Sequence, residues 1–212
     1  MKLFYSPGAD SLAPHIALRE AERSFDLVRV DLRTHRTATG ADFLAINPRG
    51  NIPALQLDGP TSPVLTENAA ILQYIADLAP AHGLAPPNGT FARYHLQDLL
   101  SFISSQIDKE YALLFMPDTP APTAERARGR ISDGYRYLAD VLVDRAYLMG
   151  ETFTVADCLL FAVLRWCERF DMDLTLWPNV NDYFQRVSLR PTVQAALEAE
   201  GLTERRRVRR TG

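Results

Sequence analysis

Cysteine is scarce in this chain of 212 residues, where only Cys158 and Cys167 are present. The two fall in one predicted helix, nine residues apart, and this spacing excludes a disulfide framework or a cysteine-based zinc cluster. No apolar run approaches the ~18 residues that a membrane-spanning helix needs. The apolar start meets Ser6-Pro7-Gly8 too soon to form a signal-peptide core. These absences predict a cytoplasmic protein with no metal and no membrane partner.

A strong excess of one charge is also missing. The chain has 23 basic and 26 acidic side chains, a net charge of −3, which argues against a broad basic face for nucleic acid. With 47% hydrophobic and 23% charged residues, the composition is that of a globular protein with a real core. Basic residues crowd only the end of the chain, at Arg205, Arg206, Arg207, Arg209 and Arg210. We interpret this tail as a solvated terminus, with an interaction arm as the alternative.

The hydrophobic pattern changes character once along the chain. Residues 1–79 predict a β-α-β-α-β-β-α order, with strands at 2–5, 26–30, 54–57 and 64–66 and a short helix at 41–45. Residues 90–212 show helical periodicity only, in segments 91–115, 125–147, 154–170, 180–187 and 191–199. Residues 80–89 hold five Pro or Gly in ten positions, which is typical of a linker. The sequence therefore predicts an α+β domain followed by an all-α helical bundle.

A proline directly before a predicted strand points to a binding function. Ile52-Pro53 follows the polar Asn51, and a cis bond there makes a tight, rigid entry to the strand. Such a turn presents the main-chain N–H and C=O of Ile52 to an extended peptide, which then binds like an added strand. The sequence therefore predicts a short peptide ligand.

Four stretches in this order resemble the bacterial glutathione S-transferases, most closely the beta class: residues 1–9, 47–55, 65–68 and 153–157. The resemblance implies a thioredoxin-like first domain, an all-helical second domain, a homodimer, and glutathione as co-substrate in the cleft between the domains. The stretch Thr154-Val155-Ala156-Asp157 also has the spacing of a helix capping box, for which we expect a structural role.

The γ-glutamyl end of glutathione carries an ammonium and a carboxylate, and residues at two places match groups that bind it in the family. Glu67 can pair with the ammonium, while Asn68 and the helix N-terminus receive the carboxylate. The alternative for Glu67-Asn68 is a solvated helix cap. In the family the partner subunit also reaches this end of the ligand, and the matching positions are Ser101 and Gln106.

The resemblance implies further contacts along the peptide. His35 and Arg36 match the place of a beta-class lysine near the glycyl carboxylate; Arg36 is always cationic and His35 only in part at neutral pH. Asn51 would add a side-chain hydrogen bond. Ile52, held by Pro53, would add the main-chain pair.

The chain departs from the family pattern at two catalytic positions. Asp10 stands where the beta class has cysteine, and Asp108 where it has histidine. Conjugation needs a thiolate, and an ionised Asp10 offers no donor and places a like charge beside the sulfur. The nearby donors are the hydroxyls of Ser11 and Tyr5. For Asp10, three interpretations stay open: a helix cap, a general acid or base acting on a glutathione adduct, or a remnant in a binding protein.

Aromatic residues at helical spacing form the candidate acceptor site. Tyr111, Phe115, Trp166 and Phe170, with Asp108, could line an apolar pocket for a second substrate, although such aromatics are more often core. We predict a detoxifying enzyme that transfers glutathione to an electrophilic apolar small molecule. The alternatives are a glutathione-dependent isomerase or lyase in which Asp10 moves a proton, and a non-catalytic glutathione-binding dimeric scaffold.

Overall fold

A five-stranded sheet organises the first part of the chain in the structure, a computed structural model that describes residues 1–203. The strands are Lys2–Tyr5 (β1), Asp26–Asp31 (β2), Arg36–Thr37 (β3), Ala54–Gln56 (β4) and Val64–Thr66 (β5), in the order β3-β2-β1-β4-β5. β1 runs parallel to β2, and the other neighbouring strands are antiparallel. The predicted arginine-rich tail lies outside the described residues.

Side chains of the sheet alternate between two separate apolar clusters, as the pleat of a strand requires. Leu3 belongs to the large core that includes the helices Leu12–Glu20 (α1) and Asn68–Leu78 (α2). The next residue, Phe4, belongs to a second, smaller cluster, where its ring lies 5.4 Å from that of Phe43. The sheet is thus covered on both faces.

Two local features of this domain differ from the sequence prediction. The short helix predicted at 41–45 is a 3-10 turn, Phe43–Ala45, whose start is capped by Asp42 accepting the N–H of Leu44 at 3.1 Å. The edge strand β3 was not predicted, because two residues are too few to show alternation. Neither difference changes the thioredoxin-like topology.

Only helices and short turns follow from Phe91 to Ala199. They are α3 (Phe91–Phe102), α4 (Lys109–Phe115), α5 (Ala121–Val141), α6 (Val155–Leu164), α7 (Pro178–Ser188) and α8 (Pro191–Ala199). α5 begins earlier than predicted because prolines are tolerated in a first helical turn. Within residues 1–203, no helix combines the length and the apolar character needed to cross a membrane.

The predicted capping box is present at the start of α6. The Thr154 N–H donates to Asp157 Oδ2 at 2.8 Å, and the Thr154 hydroxyl donates to the same oxygen at 3.0 Å. The other carboxylate oxygen of Asp157 accepts the N–H of Leu148 at 2.9 Å. Asp157 therefore ties the preceding loop to the most buried helix of the domain, a structural role.

The helix predicted over residues 91–115 is interrupted by a π-helical segment, Ile103–Asp108, between α3 and α4. Ile103 and Ile107 of this segment are buried in the core. Gly134 of α5 allows the close approach, since a Cβ at this position would lie 2.9 Å from Ile107 Cγ1. Short π-helical segments within α-helices frequently occur at functional sites.

Gly134→Ala is expected to lower the free energy of unfolding by up to about 2 kcal/mol. Overpacking a core costs ~1–3 kcal/mol, whereas the better helix propensity of alanine returns at most ~1 kcal/mol. Gly129, in the same helix, has no atom within 4 Å of the added Cβ, so Gly129→Ala should stabilise the protein. Urea unfolding of both variants checks the pair, and an equal gain in both would show that α5 and the π segment are not tightly packed.

Buried polar contacts join the two domains next to the loop between β1 and α1. His15 Nδ1 and Glu200 Oε1 lie 2.9 Å apart, both side chains fully buried, and the Arg19 Nε–H donates to His15 Nε2 at 2.9 Å. Glu200 also accepts the N–H of Gly8 at 3.0 Å, while the Trp166 indole N–H donates to the Gly8 carbonyl at 2.8 Å. The second domain thus holds the loop that leads to Asp10.

Candidate active site

A cavity of about 860 Å³ lies between the two domains. The first domain lines it with the loop after β1, the segment before β4 and the start of α2, and the second domain lines it with α3, the π segment and the start of α4. A cavity of this size accommodates a small molecule or short peptide. Its lining is mainly polar or charged side chains, and this favours a charged ligand.

The loop before β4 is built by a buried asparagine. The Asn47 side chain donates to the carbonyl of Asn51 at 2.7 Å and accepts the N–H of Arg49 at 3.2 Å. Gly50 has a φ of +71°, and a Cβ there would lie 2.7 Å from His35 Nε2. Glycine is thus required both for the turn and for the close approach of the His35 ring. Arg49, Asn51 and His35 all line the cavity.

The proline turn that predicted a peptide ligand lies at this cavity. The Ile52–Pro53 bond is cis, as predicted, and both residues line the cavity together with Glu67 and Asn68. Glu67 has a φ of +72°, which is unusual for a residue with a side chain, and its carbonyl accepts the N–H of Ile71 at 2.9 Å. Such backbone conformations cluster at binding and catalytic sites.

Arg49 is a cavity residue to which the sequence analysis gave no role. Its guanidinium lies 2.8 Å from Glu67 Oε1, and its second terminal nitrogen donates to the Thr66 hydroxyl. A signal was available, because Arg49 is a cation within one of the four stretches that resemble the family. Its distance in sequence from Glu67 hid the pairing.

The Asp10 carboxyl lines the cavity and accepts a hydrogen bond from the Asn68 side chain at 2.8 Å. Burial, together with the charge of Asp108, raises the pKa of Asp10 to about 8, against the lowering effect of hydrogen bonds from the Ser11 main chain and Asn68. Burial likewise raises the pKa of Asp108 to about 6. A pKa of about 8 favours the protonated carboxyl at pH 7, the form in which Asp10 places no negative charge beside a ligand sulfur.

Asn68 is oriented differently from the sequence expectation. Its amide nitrogen, which was expected to help receive a ligand carboxylate, donates to Asp10. Its oxygen is buried and accepts no hydrogen bond from the described residues. The side chain thus links the start of α2 to residue 10. Of the two groups predicted to receive a ligand carboxylate, this contact occupies the Asn68 amide but not the helix N-terminus.

The two hydroxyls predicted to donate to the sulfur do not line the cavity. Ser11 is fully buried, where its hydroxyl donates to the Ser6 carbonyl at 3.3 Å and accepts the Ser6 N–H at 3.3 Å. Tyr5 is only 9% exposed, and its ring centroid lies 6.5 Å from that of His15. Burial raises the pKa of Tyr5. The predicted placement of Ser11 and Tyr5 was therefore wrong.

Other predicted contacts divide between the cavity and the surface. Ser101 lines the cavity, whereas Gln106 is exposed with its amide 3.3 Å from Ser105 Oγ. Arg36 is also outside the lining, because its side chain turns to the Gly40 carbonyl at 3.4 Å. Three residues of the second domain that were not predicted also line the cavity: Ser104, Ser105 and Lys109. The contribution expected from a partner subunit's Ser101 and Gln106 stays a prediction.

The four aromatic residues predicted to form an acceptor pocket pack against one another instead. Their ring centroids are separated by 4.8 to 5.7 Å in four pairs among Tyr111, Phe115, Trp166 and Phe170. Tyr111 is fully buried, with its hydroxyl 2.7 Å from that of Tyr135. None of the four lines the 860 Å³ cavity, although Asp108 does. Core packing, the alternative interpretation, describes Tyr111 and Trp166 better.

A thioredoxin-like domain joined to a helical domain, with a charged peptide-sized cleft between them, defines a glutathione-binding class of protein. Residues 1–77 match the model of the glutathione S-transferase N-terminal domain, and residues 91–191 match that of the C-terminal domain. Glutathione S-transferase GstA of Escherichia coli O157:H7 is 43% identical over 202 residues, covering 95% of this chain and 100% of GstA. The chain belongs to the glutathione S-transferase family.

Solved structures place the chain close to the bacterial beta class. The beta-class glutathione S-transferase of Sphingomonas chungbukensis superposes with a TM-score of 0.91 at 46% identity, covering 95% of this chain and 100% of that one. A sphingomonad glutathione S-transferase complexed with glutathione gives a TM-score of 0.91 at 45% identity, with the same coverage. The predicted family and fold are thereby confirmed.

Proposed function

We propose that this protein transfers glutathione to an electrophilic apolar small molecule. The observation that carries the proposal is the cleft between the domains, which places Glu67, the cis Ile52–Pro53 turn and Asp10 around one cavity of about 860 Å³ in a member of this family. The cavity presents both acidic and basic side chains, and glutathione carries both charges at its γ-glutamyl end. Charge complementarity of this kind selects the ligand.

Glutathione lies extended across the cleft in this proposal. Glu67 pairs with the ammonium, the main chain of Ile52 pairs with the cysteinyl residue, and His35 lies toward the glycyl carboxylate. Asn51 borders the same wall. The sulfur then points toward the loop that carries Asp10.

Asp10 takes the place of the hydroxyl donors. A carboxyl that holds its proton at pH 7 donates an O–H hydrogen bond, which stabilises negative charge as it develops on the sulfur. Asp108, whose pKa burial raises to about 6, is the more ionised carboxyl at the cavity, and in this proposal it accepts the thiol proton. Positioning of the two reactants supplies the rest of the rate enhancement.

A protonated Asp10 at the cavity also favours a second candidate function, a glutathione-dependent isomerase or lyase. In that reaction the thiol adds to the substrate, Asp10 moves a proton on the adduct, and free glutathione is released again. A non-catalytic glutathione-binding scaffold is the remaining alternative.

Turnover with a generic aryl halide, followed by mass analysis, separates these functions. The transferase is expected to accumulate a stable glutathione conjugate and halide. A parallel assay with an electron-poor cis-alkene tests the isomerase, which would return all glutathione beside the trans isomer. A thermal shift with glutathione but turnover of neither substrate would favour the scaffold. No thermal shift would remove every glutathione-based function.

We also propose that the protein is a homodimer and that it is located in the cytoplasm. Phe91 and Tyr94 of α3 are 88% and 60% exposed, and these aromatic side chains lie on the helix that carries Ser101, which supports a homodimer. Cys158 and Cys167 are buried and unpaired, which is consistent with the reducing cytoplasm.

A further inference from the structure

We propose that Arg49 and Glu67 act together as the receptor for the zwitterionic end of glutathione, in which Arg49 binds the α-carboxylate while Glu67 binds the ammonium. The inference rests on the proposed function and adds a residue to it. It assigns a binding role to Arg49, in the loop before β4, and it implies that this loop binds the γ-glutamyl end of the ligand.

The first support is the geometry of the pair. Arg49 Nη1 lies 2.8 Å from Glu67 Oε1, and the neighbouring guanidinium nitrogen contacts the Thr66 hydroxyl. All three residues line the cavity. Opposite charges therefore stand side by side on the wall where the ligand's ammonium and carboxylate, separated by a single carbon atom, are to be bound.

The second support is the exposure of the pair. The Arg49 and Glu67 side chains are 55% and 69% exposed, so that their attraction is screened by water and the pair is easily opened. A zwitterion can insert between them, because its ammonium replaces the guanidinium at Glu67 and its carboxylate replaces Glu67 at Arg49. One ion pair becomes two, and the planar guanidinium matches a carboxylate with two parallel hydrogen bonds.

The third support is that two side chains predicted to donate to the ligand's carboxylates, those of Asn68 and Arg36, contact other groups instead. The Asn68 side chain donates to Asp10. Arg36, the arginine predicted to contact the ligand, turns to the Gly40 carbonyl and lies outside the cavity lining. Arg49, in contrast, has its main chain fixed by Asn47, and this limits the conformational entropy lost on binding.

The experiment combines variants with ligand analogues in titration calorimetry. Wild type, Arg49→Met, Arg49→Lys and the matched control Arg36→Met are titrated with glutathione, with its glycyl monoethyl ester, and with γ-aminobutyryl-cysteinylglycine, which lacks the α-carboxylate. Thermal unfolding of each variant verifies the fold. Combining a change in the residue with removal of one ligand group forms a double-mutant cycle, which isolates the contact between that residue and that carboxylate.

We expect Arg49→Met to raise the Kd about tenfold or more for glutathione and for the ester, because a hydrogen bond between charged groups is lost. The Kd for the analogue without the α-carboxylate should change less than about twofold, since its partner group is already absent. Arg49→Lys should fall between, since lysine keeps the charge but not the planar fork. Arg36→Met should leave all three dissociation constants unchanged.

Two results would overturn the inference while leaving the proposed function intact. Equal losses of affinity for all three ligands would show a general effect of the charge, and a loss that disappears with the ester would assign Arg49 to the glycyl carboxylate. Failure of the wild-type protein to bind glutathione would instead remove the proposed function, and this inference with it.

Discussion

Glu67→Gln is expected to weaken glutathione binding about tenfold or more. The substitution keeps the size of the side chain and its place at the cavity, but it removes the charge that pairs with the ligand's ammonium. A hydrogen bond between charged groups contributes ~1.5–3 kcal/mol, and its loss corresponds to this factor or more. Titration calorimetry at pH 7 measures the change in Kd directly.

The control for this prediction separates local charge from net charge. Glu125 of α5 is exposed and does not line the cavity, so Glu125→Gln changes the net charge equally and should leave the Kd unchanged. If Glu67→Gln and wild type bind glutathione with the same affinity, Glu67 is only a helix cap. That outcome would contradict the assignment of the γ-glutamyl end to this wall.

Asp10→Asn should increase kcat/KM for conjugation about tenfold at pH 9 relative to wild type, with little change at pH 6.5. Burial, with the charge of Asp108, raises the pKa of Asp10 to about 8, so that the wild-type carboxyl donates a hydrogen bond below this pH and repels a thiolate above it. Asparagine keeps a donor and does not titrate. A change of about one unit in the pKa of the bound thiol corresponds to the tenfold factor.

The measurement is the ratio of variant to wild-type kcat/KM across pH, because the ionisation of free glutathione cancels in a ratio. Asp118 is exposed in the loop between α4 and α5, and Asp118→Asn serves as the control with an expected ratio near one throughout. A constant ratio for Asp10→Asn from pH 6.5 to 9 would show that this carboxyl does not act on the sulfur.

Asp10→Asn should also change how the stability of the protein depends on pH. The pKa of Asp10 rises from 3.8 to about 8 on folding, so the folded state holds a proton that the unfolded chain releases in this range. Wild-type stability therefore falls as the pH rises from about 4 to 8, and Asp10→Asn removes this slope. Between pH 5 and 8.5 the variant should gain ~1–3 kcal/mol over wild type in urea unfolding, the usual size of a desolvation penalty.

The fold was predictable because its signals are local. A short apolar run marks β1, helical periodicity marks α2, and Thr154 with Asp157 has the spacing of a capping box. The π segment Ile103–Asp108 was missed, because its apolar residues continue the helical pattern and the change in hydrogen bonding has no separate signature in sequence.

Part of the site was predictable for the same reason, and part was not. Ile52, Glu67 and the residues around them lie within continuous stretches, whereas the Arg49–Glu67 pair joins two loops far apart in sequence. The protonation state of Asp10 could not be predicted from the sequence, because it depends on burial, which follows only from the packing of both domains. The direction in which Ser11 points is likewise a property of the folded loop.

Titration of glutathione into the wild-type protein at pH 7 tests the central claim most directly. The account predicts a saturable heat with one glutathione per chain, and a weaker interaction with an analogue whose γ-glutamyl ammonium is acetylated. Absence of a binding heat, or equal affinity for the acetylated analogue, would contradict it.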